Sequence, residues 1–364
     1  MPVLRYTLTW RAKWSYITAF RLRHRQMTEL DIAVVIVTYK CAALTVESLR
    51  SVAAERSAAG FRMRALVVDN ASGDAPSIAE AIESNGWRSW VTLLTAPKNG
   101  GFAYGNNLGI ARAYEDHTPS YLYLLNPDAQ VRPGAIGTLV RFLESHPEVG
   151  IAGSSFENLD GSDWPIAFHF PSLMSEMLQG MDFGPLMRLF KRCMVAQHMR
   201  KTPQPIDWIC GASMLIRPAV LEAIGGMDEN YFLYFEETDF CYRAKRAGFV
   251  TWYVPESRVM HIMGQSTAVT DPTSGPKRLP SYWFESRRRY FAMTYGIGHA
   301  IAIDIVALLA CLIGVMKRAA RGRTHTATPH FIRDLIHHSV VRPRNREFPP
   351  VRCRSVEWRA RTLL

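Results

Sequence analysis

No two cysteines in this chain stand at C-x-x-C spacing; the six that occur (Cys41, Cys193, Cys210, Cys241, Cys311 and Cys353) are scattered singly. That argues against a zinc knuckle and against a disulfide framework, and it fits a reducing, cytosolic setting. Internal repeats and low-complexity tracts are missing too, which removes solenoid and biased-composition readings. The N-terminus is basic and aromatic (Trp10, Trp14, Tyr16, Phe20) without an uninterrupted apolar run, so it does not read as a secretory signal. The glycine pair Gly100-Gly101 does not extend into a Gly-x-Gly-x-x-Gly fingerprint, which counts against a nicotinamide-dinucleotide enzyme.

What is there begins with ordinary bulk: 364 residues, 48% hydrophobic and 21% charged, enough for one large globular domain or two. The net charge of +11 is unevenly spread. Residues 31–284 hold 22 Lys and Arg against 26 Asp and Glu, residues 1–30 hold six against one, and residues 285–364 hold 15 against five. The body is therefore mildly acidic and the basic excess sits at the ends. Basic ends suit nucleic acid or an anionic membrane surface. An apolar stretch inside the C-terminal basic region, with no nucleic-acid motif beside it, favours the membrane; nucleic acid is not expected.

Along the chain, Ile32–Val37 is a β-branched run of the kind found in buried parallel strands. Helical spacing over Ala43–Ala59, a strand at Arg64–Val68, a helix at Ile78–Asn85, a strand at Val91–Leu94, a helix at Tyr104–Tyr114 and a strand at Tyr121–Leu125 follow in alternation. Gly134–Ser145 reads as a helix, Val149–Ser154 as a strand, Trp208–Arg217 as a strand, Phe240–Ala247 as a helix and Val250–Val254 as a strand. This alternation predicts βαβ units in an α/β fold with a mostly parallel central sheet and flanking helices. Residues 155–205 carry a methionine-rich stretch (Met174, Met177, Met181, Met187, Met194, Met199), read either as adaptable core helices or as an acceptor-binding flap. Residues 264–284, rich in Gly, Ser, Thr and Pro, suggest a lid.

Three acidic clusters punctuate these elements: Val67-Val68-Asp69-Asn70, Leu124-Leu125-Asn126-Pro127-Asp128, and Tyr234-Phe235-Glu236-Glu237-Thr238-Asp239. Ligands of open α/β sheets bind at the carboxyl ends of the strands, where such groups can grip a base, hold a cation on a diphosphate, or take a proton. Asp69 also suits an Asx-turn. Asp128 offers a carboxylate to a divalent cation, Asn126 only an amide oxygen. Adjacent carboxylates repel, which raises at least one pKa and makes a better base, while Thr238 and Asp239 suit the start of a helix.

Val34-Val35-Ile36-Val37-Thr38-Tyr39, Val68-Asp69-Asn70-Ala71-Ser72, Asn99-Gly100-Gly101-Phe102-Ala103-Tyr104-Gly105-Asn106-Asn107, Asn126-Pro127-Asp128, Phe235-Glu236-Glu237-Thr238-Asp239 and His261-Ile262-Met263-Gly264-Gln265-Ser266 occur in register. Together they resemble the family 2 glycosyltransferases, in the rhamnosyltransferase-like branch that builds bacterial surface polysaccharides, over about residues 31–295. The resemblance implies a GT-A fold and an inverting, metal-dependent transfer of a sugar, with rhamnose the leading choice, from a dTDP- or UDP-linked donor. It also implies an acceptor that is a saccharide or is linked to a polyprenyl diphosphate. It places Thr38, Tyr39, Asp69, Asn99, Asn106, Asn107 and Asn126 around the donor, with Asp69 reading the base. Asp128 and His261 would hold Mg2+ or Mn2+, Asn126 departing from the stricter D-x-D pattern. Glu237 would be the base, with Glu236 and Asp239 shaping the acceptor site or the helix start. Arg287, Arg288 and Arg289 would meet phosphates of a lipid-linked acceptor or of head groups, or form an exposed basic helix face.

Gly296–Met316 is mostly apolar but contains His299 and Asp304 and has basic residues at both ends. An interfacial helix or membrane-dipping hairpin, a single span, and a buried soluble helix are all open to it. The expected organisation is a basic arm at 1–30, a glycosyltransferase domain at 31–295, an apolar membrane-associating segment at 296–323 and a basic tail at 324–364. Met27, just before Asp31, also admits an over-long start over residues 1–26. The expected location is the cytoplasmic face of the bacterial inner membrane. Rival readings are a non-catalytic sugar-nucleotide-binding scaffold or sensor with the same fold, and a nucleic-acid binder using the basic ends.

Overall fold

The β-branched run is the strand at the heart of the sheet. In the computed structural model, which describes residues 29–158, 161–164, 166–261, 277–322 and 328–338, β1 (Asp31–Thr38) is buried along its whole length. A strand covered by helices on both faces needs continuous apolar character, which this one has. It pairs in parallel with β2 (Arg62–Asp69) on one side and β4 (Tyr121–Leu125) on the other, and β2 pairs in parallel with β3 (Val91–Thr95). The crossovers run through α1 (Ala42–Ala58), α2 (Ala75–Ser84) and α3 (Gly101–Asp116).

Beyond β4 the sheet changes character. After β5 (Ala129–Val131) and α4 (Ala135–Ser145) come β6 (Val149–Glu157) and the short β7 (Asp163–Trp164). Further on lie α5 (Leu173–Met181), α6 (Gly184–Leu189), β8 (Gln204–Ile206), β9 (Ser213–Ile216), α7 (Pro218–Ile224), α8 (Glu236–Arg246) and β10 (Val250–His261). The strand order is β3-β2-β1-β4-β9-β6-β10-β5, with β7 on β6 and β8 on β10. β9 lies antiparallel to both β4 and β6, so the parallel run of four strands gives way to a mixed half. β10 is much longer than the hydrophobic pattern suggested because it continues past Val254 through a register shift and ends on β5, antiparallel.

The strand expected at Trp208–Arg217 is confined to Ser213–Ile216; Gly211 and Ala212 form a turn instead. The methionine-rich stretch holds helices α5 and α6, the first opened by a capping box between Ser172 and Ser175. The anticipated lid resolves at its end into helix: residues 281–284 begin α9 (Ser281–Tyr295). Then come α10 (Ile297–Ala320) and α11 (Phe331–Ile336). The remainder of the lid at 262–276, the arm at 1–28 and most of the tail at 324–364 lie outside the described residues.

The segment expected at 296–323 is thus largely α10, and α10 is packed on the body. Its Ala300 and Ile303 join Tyr231, Tyr290 and Phe291 in one buried cluster. Gly314 faces α5 so closely that a Cβ there would come 2.4 Å from the Gly180 carbonyl oxygen.

Candidate active site

Strand geometry puts the first two site residues side by side. Thr38 and Asp69 are register partners at the carboxyl ends of β1 and β2. Asp69 does form the turn: its Oδ1 accepts from the Ser72 N–H at 3.0 Å and from the Ser72 hydroxyl at 2.5 Å. That uses one oxygen; Oδ2 is buried with no partner among the described residues. Thr38 is buried and accepts a hydrogen bond from Thr45 at 2.7 Å, whereas Tyr39 stands exposed just past the carboxyl end of β1.

The asparagines divide. Asn99 Oδ1 accepts from Asn70 Nδ2 at 3.0 Å and from the Gly101 N–H at 3.1 Å, which ties the Gly100-Gly101 turn to the end of β2. Gly101 has φ of +88°, and a Cβ there would fall 1.9 Å from the Phe232 carbonyl oxygen, so the turn admits no side chain. Asn106 donates back to the Phe102 carbonyl inside α3. Asn107, expected at the ribose or phosphates, is fully buried and engaged elsewhere. Its amide donates to the Met227 carbonyl (2.8 Å) and Glu229 (3.0 Å), and its oxygen accepts from the Met227 N–H (2.9 Å). It clamps α3 to the segment leading into the acidic cluster.

Asn126, Pro127 and Asp128 turn the chain from β4 into β5. The Asn126 N–H donates to the Ala212 carbonyl at 3.1 Å, while its side-chain Oδ1 is buried without a partner among the described residues. Because β5 pairs with the end of β10 and Ala129 is the register partner of His261, the histidine ring arrives beside Asp128. His261 Nε2 lies 3.2 Å from Asp128 Oδ1, both side chains buried, and His261 Nδ1 has no partner among the described residues.

The third cluster opens a helix rather than closing a strand. Glu236, Glu237 and Asp239 occupy the first turn of α8, where the helix dipole favours acids. They follow two consecutive non-glycine residues in the left-handed region, Tyr234 (φ +69°) and Phe235 (φ +68°). Such residues cost about 1–3 kcal/mol each, a strain that concentrates at functional sites. Burial, then the charge of Glu237, pushes the Glu236 carboxyl well above the usual carboxylate range. Burial also raises Glu237, against backbone hydrogen bonds from its own N–H and from Gly211 that hold it down. Each keeps a buried Oε2 without a partner among the described residues. Asp239 is differently employed. It accepts from Arg243 Nε at 2.7 Å, and Arg243 in turn ties down the Ile224 and Gly226 carbonyls, so Asp239 fixes the helix start.

The turn at Cys210-Gly211-Ala212 joins the second and third clusters. Gly211 holds Glu237, Ala212 holds Asn126, and the thiol of half-buried Cys210 is driven up by desolvation first and then by the charges of Glu237 and Asp128. Sequence reading missed this turn because it looked like the middle of a strand; the Gly-Ala pair was its only signal. It also missed the aromatic group of Phe232, Tyr234 and Tyr282, whose rings lie 5.3 and 6.2 Å from that of Tyr282.

Arg287, Arg288 and Arg289 are not brought to this site as phosphate ligands. Arg287 is 1% exposed and donates to Glu176 (2.7 and 3.1 Å) and to Asp304 (2.5 Å). Arg288 takes the other Asp304 oxygen at 2.8 Å, and Arg289 pairs with Asp228 at 2.5 and 2.8 Å. The expectation of an exposed basic face fails because carboxylates far along the chain turn the guanidinium groups inward.

The donor set for a cation is partial. Asp128 supplies a carboxylate, His261 an imidazole and Asn126 an amide oxygen with no protein partner, but among the described residues no group of three or more His, Cys, Asp or Glu is placed to hold a metal. This fits an ion that completes its shell with diphosphate oxygens and water, as Mg2+ and Mn2+ do.

An α/β sheet of this order, with an acidic cluster at a helix start and acidic turns at its strand ends, has the GT-A architecture of glycosyltransferases. The chain belongs to the family described as Glycosyltransferase like family 2, which it matches over residues 30–291. It is 30% identical over 219 residues to the N-acetylglucosaminyl-diphospho-decaprenol L-rhamnosyltransferase of Mycobacterium tuberculosis (strain H37Rv), covering 57% of this chain and 69% of that protein. It is 26% identical over 166 residues to the rhamnosyltransferase WbbL of Escherichia coli (strain K12), covering 44% and 60%. A solved mannosyltransferase from Pyrobaculum calidifontis, in complex with GDP-Man and Mn2+, aligns with TM-score 0.49 at 16% identity over 85% of this chain and 82% of that one.

Proposed function

We propose that this glycosyltransferase inverts the anomeric centre of a nucleotide-diphosphate sugar, with dTDP-rhamnose the leading donor and a UDP-sugar the alternative. The acceptor is a saccharide carried on a polyprenyl diphosphate, at the cytoplasmic face of the bacterial inner membrane, in surface-polysaccharide synthesis. What supports this reading most is that the Gly211-Ala212 turn joins the Asp128 and Glu237 clusters, Ala212 accepting from the Asn126 N–H at 3.1 Å and the Gly211 backbone hydrogen-bonding Glu237. Five buried polar atoms, on Asp69, Asn126, Glu236, Glu237 and His261, have no hydrogen-bond partner among the described residues.

In this reading Asp69 Oδ2 meets the donor base beside Thr38 and Tyr39, and the Asn99–Gly101 turn borders the nucleotide. Asp128, His261 and Asn126 would hold a divalent cation, which neutralises the charge of the departing diphosphate when bound. Glu237 takes the proton of the acceptor hydroxyl as its oxygen bonds to the anomeric carbon. The carbon–oxygen bond to the diphosphate breaks, and its electron pair leaves with the nucleoside diphosphate. Burial raises both carboxyls, and the charge of Glu237 disfavours a second charge on Glu236, so the pair carries one negative charge more readily than two.

The test is turnover of a donor panel with manganese and a lipid-linked saccharide, alongside calorimetry of donor binding. Glu237→Gln is expected to bind donor like wild type while losing turnover by about 10²–10⁴-fold. Wild-type turnover by that variant would remove Glu237 as base; no binding by any donor would remove the nucleotide-sugar reading.

A further inference from the structure

Seven of the fifteen exposed large hydrophobic side chains among the described residues lie on one helix, α10. Ile297, Ile301, Ile305, Leu309, Ile313 and Met316 are 43–63% exposed. At 100° per residue they and Leu312 fall within an arc of about 160°. From Ile297 to Ala320 no polar or charged side chain falls in that arc.

The opposite face is occupied along nearly the whole helix. Ala300 and Ile303 pack into the cluster of Tyr231 and Tyr290, and Asp304 meets Arg287 and Arg288. Ala307 meets Phe284 and Leu335, Gly314 sits on Gly180, and Lys317 donates to the Met181 carbonyl at 2.8 Å. The helix is long and apolar enough to cross a membrane by length and composition. A crossing would immerse everything packed on that face, including the buried Arg287–Glu176–Asp304 group, in hydrocarbon. Asp304, which would tax a span, is instead neutralised under the helix by two arginines.

We infer that α10 lies flat in the membrane interface, its exposed arc sunk among the acyl chains and its other side replaced by the enzyme body. The occupant is an anionic lipid surface. Exposed Arg321 follows the C-terminal end of the helix, and α6, which begins beside Lys317, ends in exposed Arg188 and Leu189 and is followed by exposed Phe190, Lys191 and Arg192. Apolar side chains beside cations match the boundary between acyl chains and anionic head groups. The other occupants match it poorly. A second copy would bring the same cations against themselves, and the chain's own residues 1–28 and 339–364 are strongly basic. This deepens the proposed lipid-carried acceptor by giving the mode of docking, yet it rests on packing and charge alone.

The experiment is flotation of the full chain with vesicles of phosphatidylcholine and phosphatidylglycerol, without donor or acceptor, so that its outcome is independent of sugar transfer. Wild type is expected to float and the Ile305→Glu/Leu309→Glu variant to stay at the bottom, with the melting curve of wild type. A wild type that does not float, or a variant that floats equally, overturns the inference and leaves the arc to a second copy or to the chain's own ends. Sidedness is read separately in closed membrane vesicles by a membrane-impermeant maleimide at His299→Cys and Arg321→Cys, exposed positions that lie outside the apolar arc, against the labelling of the native cysteines alone. In-plane docking requires both to react from one side; reaction from opposite sides means a span and sinks it.

Discussion

Glu236 and Glu237 are neighbours in the chain, and burial raises both carboxyls. The folded chain keeps the Glu236 proton over a pH range in which the unfolded chain, with an ordinary glutamate pKa of about 4.3, has lost it. Its contribution to stability is therefore fully present below that value and declines as pH rises toward the folded pKa. Glu236→Gln is expected to raise the melting temperature relative to wild type at pH 8 and to give no gain near pH 4, as thermal scans at the two pH values would report. Glu237 is shifted in the same direction. The acidic limb of the kcat profile should thus lie above the ordinary carboxylate range and disappear in Glu237→Gln, which a pH–rate series checks. Arg287 gives a third expectation. Replacing it by Ala leaves half-buried Glu176 without its partner and buried Asp304 with Arg288 alone, and breaking a buried pair this way costs about 3–5 kcal/mol in denaturant unfolding.

At the scale of elements, the sequence was legible wherever the signal was local. The β-branched run gave β1, and Asp69, Asn126 and Asp128 were found because turn residues after an apolar run mark a strand end. The short strands β5, β7 and β8 carry too few residues to show a period, and β10 runs past Pro255, which interrupts the pattern. What was illegible depended on distant partners. Asn107 looked like a ligand residue until Met227 and Glu229, 120 and 122 positions away, took up its amide. The three arginines looked like a surface patch until Glu176, Asp228 and Asp304 met them. The third acidic cluster read as a strand end because its helix starts at the acids themselves. One prediction belongs here. Gly101→Ala places a methyl against the Phe232 carbonyl in a left-handed turn, so donor affinity in calorimetry is expected to fall even where the fold survives.

For the molecule as a whole, α10 is part of the fold and not an appendage. Ending the chain at Tyr295 would uncover Tyr231, Tyr290 and Phe291 and leave Arg287 with half its partners. Such a truncation is expected to aggregate or to melt well below the full chain, measured by light scattering during a thermal ramp. The contact between Gly101 and Phe232 reaches further. It joins the Phe102 N–H to the Phe232 carbonyl at 2.9 Å, and Asn107 grips the same stretch at Met227. The Gly100-Gly101 turn and the stretch that leads to the third acidic cluster are thereby buttoned together, although 120 or more positions separate them in the gene. A chimera that takes residues 99–107 from one homologue must take 226–240 from the same parent, and swapped singly, either piece arrives with its fastening undone.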